Sequence, residues 1–149
     1  MTGVMRVRLA VAFLVLVASF TLQFWFASAN IFIDFILTAL ILFAFYFEIW
    51  ELLVFIFLSF YVVAWAPLFN VEIILFCAIP LLVYTFHKIV ALERWAGIPI
   101  AVIVGLIVFY AGSAPQFFFS NLIALLLDIF GSLIFAAAVF AIMNKTERR

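Results

Sequence analysis

Apolar residues run almost unbroken along this chain, and polar residues, Pro and Gly cut them into six pieces, roughly 9–26, 31–47, 51–66, 71–86, 97–112 and 120–143. A helix that crosses a ~30 Å hydrocarbon core needs about 20 residues, with a range of about 17–25. The first, second and sixth pieces reach that length. The third, fourth and fifth are short, so they must draw in flanking residues, tilt little or thin the bilayer locally. Residues 31–66 contain neither Gly nor Pro, and only Glu48 and Glu51 mark a turn there. Five spans, with one long bent element, is therefore the competing count. The predicted fold is an all-α, polytopic transmembrane helical bundle of about six spans.

Charge separates the two counts. With six spans and the N-terminus inside, the inner segments are 1–8, about 47–51, 87–95 and 144–149. The basic residues Arg6, Arg8, Lys88, Arg94, Lys145, Arg148 and Arg149 all fall on them. The outer turns, near 27–30, 67–70 and 113–116, carry none. This is the positive-inside bias of inner-membrane proteins, and it places both termini on the cytoplasmic side of the plasma membrane. Five spans would split the basic residues between two compartments. Tryptophan, which prefers the headgroup level, agrees: Trp25 and Trp65 fall at predicted outer ends, Trp50 and Trp95 at inner ones.

Helix-end chemistry adds detail. Asn30 and Asn70 are expected caps of the second and fourth spans, with Asp34 and Glu72 near the positive ends of their dipoles. His87 and Lys88 follow the fourth span and Lys145 the sixth, where cations suit a C-terminus. Pro99 lies in the first turn of the fifth span, where its missing N–H costs nothing. Pro80 falls inside the fourth span and is expected to kink it.

Composition excludes other classes. The 149 residues are 72% apolar, 20% aromatic and 9% charged, whereas a soluble domain carries about 25% charged residues. Lipid is the solvent that fits, and the spans leave no room for a folded extramembrane domain, so one integral membrane domain over 1–149 is expected. Net charge is zero, which argues against a nucleic-acid partner. Cys77 is the sole cysteine and reads as a small hydrophobe. Arg6 and Arg8 before an apolar run, with Ala27-Ser28-Ala29 behind it, resemble a signal peptide. The run from Leu9 to Phe26 exceeds the usual core of about 7–15 residues, so it reads as a retained first span.

Few residues are candidates for chemistry. Asp128 lies ~10 Å below the outer interface if its helix starts near Asn121. A carboxyl there is costly and faces the bundle or water. It reads either as a proton or cation site, or partner anchor, or as a neutral group bonded to a Ser, Thr or Tyr of an adjacent helix. Asp34, Glu72 and Asp128 together form a candidate acidic site in the outer half. The alternative is two helix-start acids and one unrelated buried Asp. Glu48 and Glu51 are placed to meet Lys88 or Arg94. His87 is the sole histidine, which rules out a multi-histidine metal site, and no catalytic or nucleotide-binding motif is present. Gln23, Tyr46, Tyr61, Tyr84 and Tyr110 read as interhelical or interfacial bonding groups. No metal or cofactor is expected.

The fifth span carries a small-residue stripe, Gly97, Ala101, Gly105 and Gly112, within about 80° of one another. Such a stripe lets a neighbouring backbone approach closely. Ser132, Ala136 and Ala137 on the sixth span are one possible partner surface within the bundle; a dimer interface is the other reading.

Several local features stand together: Leu22-Gln23 closing the first span, Asn30 before an apolar second span (Ile31 to Phe47), the basic inner loop at His87-Lys88, and Asn121 opening the last span. In these the chain resembles the rod-shape-determining MreD family of bacterial inner-membrane proteins. That resemblance implies a scaffold that binds other membrane proteins of cell-wall elongation and performs no chemistry itself. The family is similar in structure to the substrate-binding subunits of vitamin transporters, which implies a second reading as a small-solute-binding or transport subunit. Those subunits dock through small-residue motifs in the first span, where this chain has Ala10, Ala12 and Ala18 without an Ala-x-x-x-Ala pattern.

Overall fold

Every residue from Phe35 to Tyr46 is buried, so the second apolar piece has no face left for lipid. A helix that is hydrophobic all round is one that other helices enclose. The computed structural model describes residues 3–31, 33–63, 70–90 and 93–147, and among them all regular structure is helical. The elements are α1 (Gly3–Ser28), α2 (Phe35–Tyr46), α3 (Ile49–Val63), α4 (Val71–Val90), α5 (Arg94–Ser113), the short α6 (Pro115–Ser120) and α7 (Leu122–Glu147). Helix α2 is the axis, and α1, α3, α4, α5 and α7 all pack against it. Around that axis the neighbours run α3, α4, α5, α7, α1. The ring stays open between α1 and α3, whose described backbones do not approach each other.

Four helices are long and apolar enough to cross a membrane: Met5–Ser28, Val71–Val90, Arg94–Ser113 and Leu122–Glu147. The protein is thus an all-helical membrane protein. Helices α4 and α5 reach 20 residues each by drawing in the flanking residues that the apolar pieces lacked. Helices α2 and α3 have 12 and 15 residues, or about 18 and 22 Å at 1.5 Å per residue. The second piece therefore falls short of spanning length, contrary to expectation.

The shortfall has a local cause. Asn30 adopts φ 56°, and its N–H and that of Ile31 donate to the carbonyls of Ala27 and Phe26, each at 3.0 Å. This is the Schellman turn that ends a helix. Asn30 closes α1 and does not cap the second span. Ile31, Ile33 and Asp34 are not helical, and a membrane tolerates such backbone where protein covers it. At the other end Phe47 is extended, and Glu51 Oε2 accepts the Glu48 N–H at 3.1 Å, half of a capping box. The described residues between 31 and 63 thus form two helices, α2 and α3, and not one bent element. Asn70 Oδ1 accepts the Val71 N–H at 2.8 Å at the start of α4.

Close packing replaces the hydrophobic drive that lipid cannot supply. A Cβ on Gly105 would lie 2.7 Å from Ile41 Cδ1 and 3.2 Å from Ile79 Cγ2, so this glycine seats α5 against both α2 and α4. A Cβ on Gly112 would lie 2.5 Å from Leu75 Cδ1. Gly97 is buried and Ala101 half-buried on the same helix. The stripe is used inside the bundle. On α7, Ser132 and Ala136 are buried and Ala137 is exposed. Pro80 is buried within α4, and the helix runs through it unbroken from Val71 to Val90. Trp25, Trp50 and Trp95 all face outward near helix ends; Trp65 lies outside the described residues.

Gly105→Leu should lower stability by about 1–3 kcal/mol through overpacking, read as a lower thermal midpoint in detergent. Gly3→Ala, with nothing within 4 Å of the added Cβ, should leave the midpoint unchanged. Equal midpoints for the two variants would show that α5 is not seated as described.

Candidate functional site

The first N–H groups of a helix have no partner within it, and hydrocarbon contains no water to serve them. Because α2 is enclosed, other helices must supply the acceptors. Asp34 occupies its N-cap position, yet its own side chain caps nothing. Gln23 Oε1 of α1 accepts the Ile36 N–H at 3.1 Å. Asp128 Oδ1 of α7 accepts the Asp34 N–H at 2.9 Å. The Asp34 carbonyl takes both the N–H and the hydroxyl of Thr38, at 3.1 and 2.8 Å.

The Tyr110 hydroxyl, near the end of α5, stands between the two carboxyls. Its oxygen lies 2.6 Å from Asp128 Oδ2 and 2.9 Å from Asp34 Oδ2. Ser132 Oγ donates to Asp128 Oδ1 at 3.1 Å, and Asp128 is only 1% exposed. A phenol has one proton to donate. Both contacts are fully satisfied when one of the carboxyls carries a proton and donates it to the phenol oxygen. With that proton in place the pair holds at most one negative charge, a large saving where an unpaired ion in the membrane interior is costly.

This arrangement can hold and share a proton, and it ties together α1, α2, α5 and α7. Among the described residues no group of three His, Cys, Asp or Glu is placed to hold a metal ion. Glu72 stands exposed in the first turn of α4. No hydrogen bond joins it to Asp34 or Asp128. The expected trio is thus a bonded pair, Asp34 and Asp128, with Glu72 outside it. Asp128 has both a partner on an adjacent helix, Tyr110, and one on its own helix, Ser132.

The opposite end of α2 carries the cations. Arg8 lies over the Phe47 ring and Arg94 over the Tyr46 ring, each 4.7 Å from the centroid. His87 packs 4.5 Å from Phe45. Consecutive aromatic residues at the end of α2 are thus each covered from a different helix, and positive charge at a helix C-terminus opposes its dipole. Arg8 pairs with Glu51 at 3.7 Å and Glu147 at 3.8 Å, and Arg94 also pairs with Glu147. The acidic turn therefore meets α1 and not Lys88 or Arg94; Lys88 lies 5.6 Å over the Tyr84 ring. Glu147 is the partner that sequence reasoning missed. Its position in the last turn of α7 marks it as lying at the same end as Arg8 and Arg94, but the order of helices around α2 decides the pairing.

The chain matches no family model, no curated protein and no solved structure.

Asp128→Asn should be nearly neutral, because its amide oxygen still accepts from the Asp34 N–H and its NH2 donates to the Tyr110 oxygen. Asp128→Leu strands those groups and should cost about 1–3 kcal/mol for each one left unpaired. Unfolding in detergent measures the difference, and equal loss in both variants would rule out this account of Asp128.

Proposed function

We propose that this protein is a non-enzymatic, multi-pass membrane scaffold that binds other membrane proteins. The supporting observation is how its intramembrane polar groups are used. Asp34, Tyr110, Asp128 and Gln23 are engaged with one another and with the end of α2, leaving its surface to do the work. That surface includes α3, whose described backbone packs against α2 and α4 and which borders the opening in the ring. Trp50, Phe57 and Tyr61 project from it, 75%, 67% and 77% exposed.

Both described chain ends lie at one end of the bundle, where Arg8 meets Glu147. We assign this end to the cytoplasm, because Arg6, Arg8, Lys88, Arg94 and Lys145 belong to it and the positive-inside bias applies. We take the membrane to be the plasma membrane, as the resemblance to an inner-membrane family implies. The resemblance to MreD points to partners in cell-wall elongation. A small-solute-binding subunit is the weaker reading: it needs space between Asp34, Glu72 and Asp128, and two of these are joined directly through Tyr110.

A photo-crosslinking residue at Phe57 should give discrete adducts with other membrane proteins in living cells, whereas one at Ile123, on the exposed face of α7, should give none. Depletion in a rod-shaped native host should round the cells. Absence of heteromeric adducts together with normal cell width would refute the scaffold reading.

A further inference from the structure

The hydrocarbon core sets the length over which a lipid-facing helix must show no exposed charge. On α7 that length is complete. Its exposed apolar positions run from Leu122 to Ile142, about 30 Å at 1.5 Å per residue. The one carboxyl between them, Asp128, is buried, so a core of ~30 Å fits this side of the bundle. Helix α4 differs. It carries Glu72 in its first turn and Lys88 in its last, both exposed. They are 16 positions apart, so their backbones stand at most about 24 Å apart across the membrane, and any tilt shortens that distance.

Two further observations hold the polar levels at this separation. A lysine near a helix end commonly reaches outward to water. Lys88 instead lays its ammonium 5.6 Å over the ring of Tyr84, one turn nearer the middle of the helix, so its stem adds no length. Its neighbour His87 packs on Phe45, level with the end of α2 where Arg8 and Arg94 also lie. Lys88 thus belongs to the polar layer of that end. Helix α3, beside α4, repeats the short spacing. Trp50 and Tyr61 are exposed on it, and these ring types gather at the two membrane interfaces. They lie only about 16 Å apart along the helix. We propose that the α3–α4 side of the bundle is fitted to a locally thinned bilayer, about 6 Å thinner than the side bounded by α7, and takes short-chain phospholipids as its neighbours.

The test is thermal unfolding, followed by tryptophan emission, in vesicles of dimyristoleoyl-, dioleoyl- or dierucoylphosphatidylcholine, which share a headgroup and differ in chain length. The parent should be most stable in the short-chain lipid, with a midpoint about 2–4 °C above that in dioleoyl vesicles. Removing both charges makes all 20 residues of α4, about 30 Å, available to hydrocarbon. Glu72→Leu/Lys88→Leu should therefore move the optimum to dioleoyl vesicles. Glu72→Leu alone, at an exposed position, should narrow the gap between the two lipids. Asn121→Leu, which extends the face that already matches, should leave the gap as it is. A parent most stable in dioleoyl or dierucoyl vesicles would overturn the proposal. So would a gap that neither α4 variant changes, or one that Asn121→Leu narrows as much as Glu72→Leu.

Discussion

The architecture depends on one constraint: a helix enclosed by other helices in lipid must have both its ends satisfied by protein. Helix α2 meets it through groups from several other helices. Each of these side chains is fixed by its own helix, so capping α2 also sets the depth and rotation of α1, α5 and α7 around it. Capping and assembly are the same event here.

The two ends of α2 use different chemistry because they lie in different surroundings. The N-terminal end is recessed, and two full charges there would be desolvated; a neutral amide acceptor, Gln23, and a carboxyl pair bridged by Tyr110 serve instead. The C-terminal end lies with the Lys and Arg residues, where ions keep contact with water and arginine stems can lie across aromatic rings. The carboxyl pair is consequently of higher stakes than the ion pairs. Breaking one buried hydrogen bond leaves its partner stranded, at about 1–3 kcal/mol, whereas an exposed ion pair contributes about 0–1 kcal/mol.

Much of the bundle is legible in the sequence, because membrane helices announce themselves by length and composition. The break at Glu48 and the common end of the cations also follow from local pattern. The identity of the central helix does not. A lipid-facing helix and a buried one are equally apolar, so nothing in Phe35–Tyr46 marks it as enclosed. Asn30 misleads for a related reason, since the same side chain suits the start of one helix and the left-handed exit from another. The bonds of Asp34 join residues 76 and 94 positions apart, a distance that only the order of packing around α2 can close. Asp128 is visible as an anomaly, but its partners are not.

That separation bears on how the chain is made. Synthesis delivers α2 well before Tyr110 and Asp128, so until they emerge the start of α2 has only Gln23 to serve it. At about 18 Å the helix is too short to be held across the bilayer by its own greasiness. Until α7 arrives, the nascent chain has reason to keep the start of α2 near hydrated headgroups or inside the insertion machinery. Helix α7 acts as a closing piece for α2: the start of α2 reaches its final depth only once Asp128 is in place to accept from it.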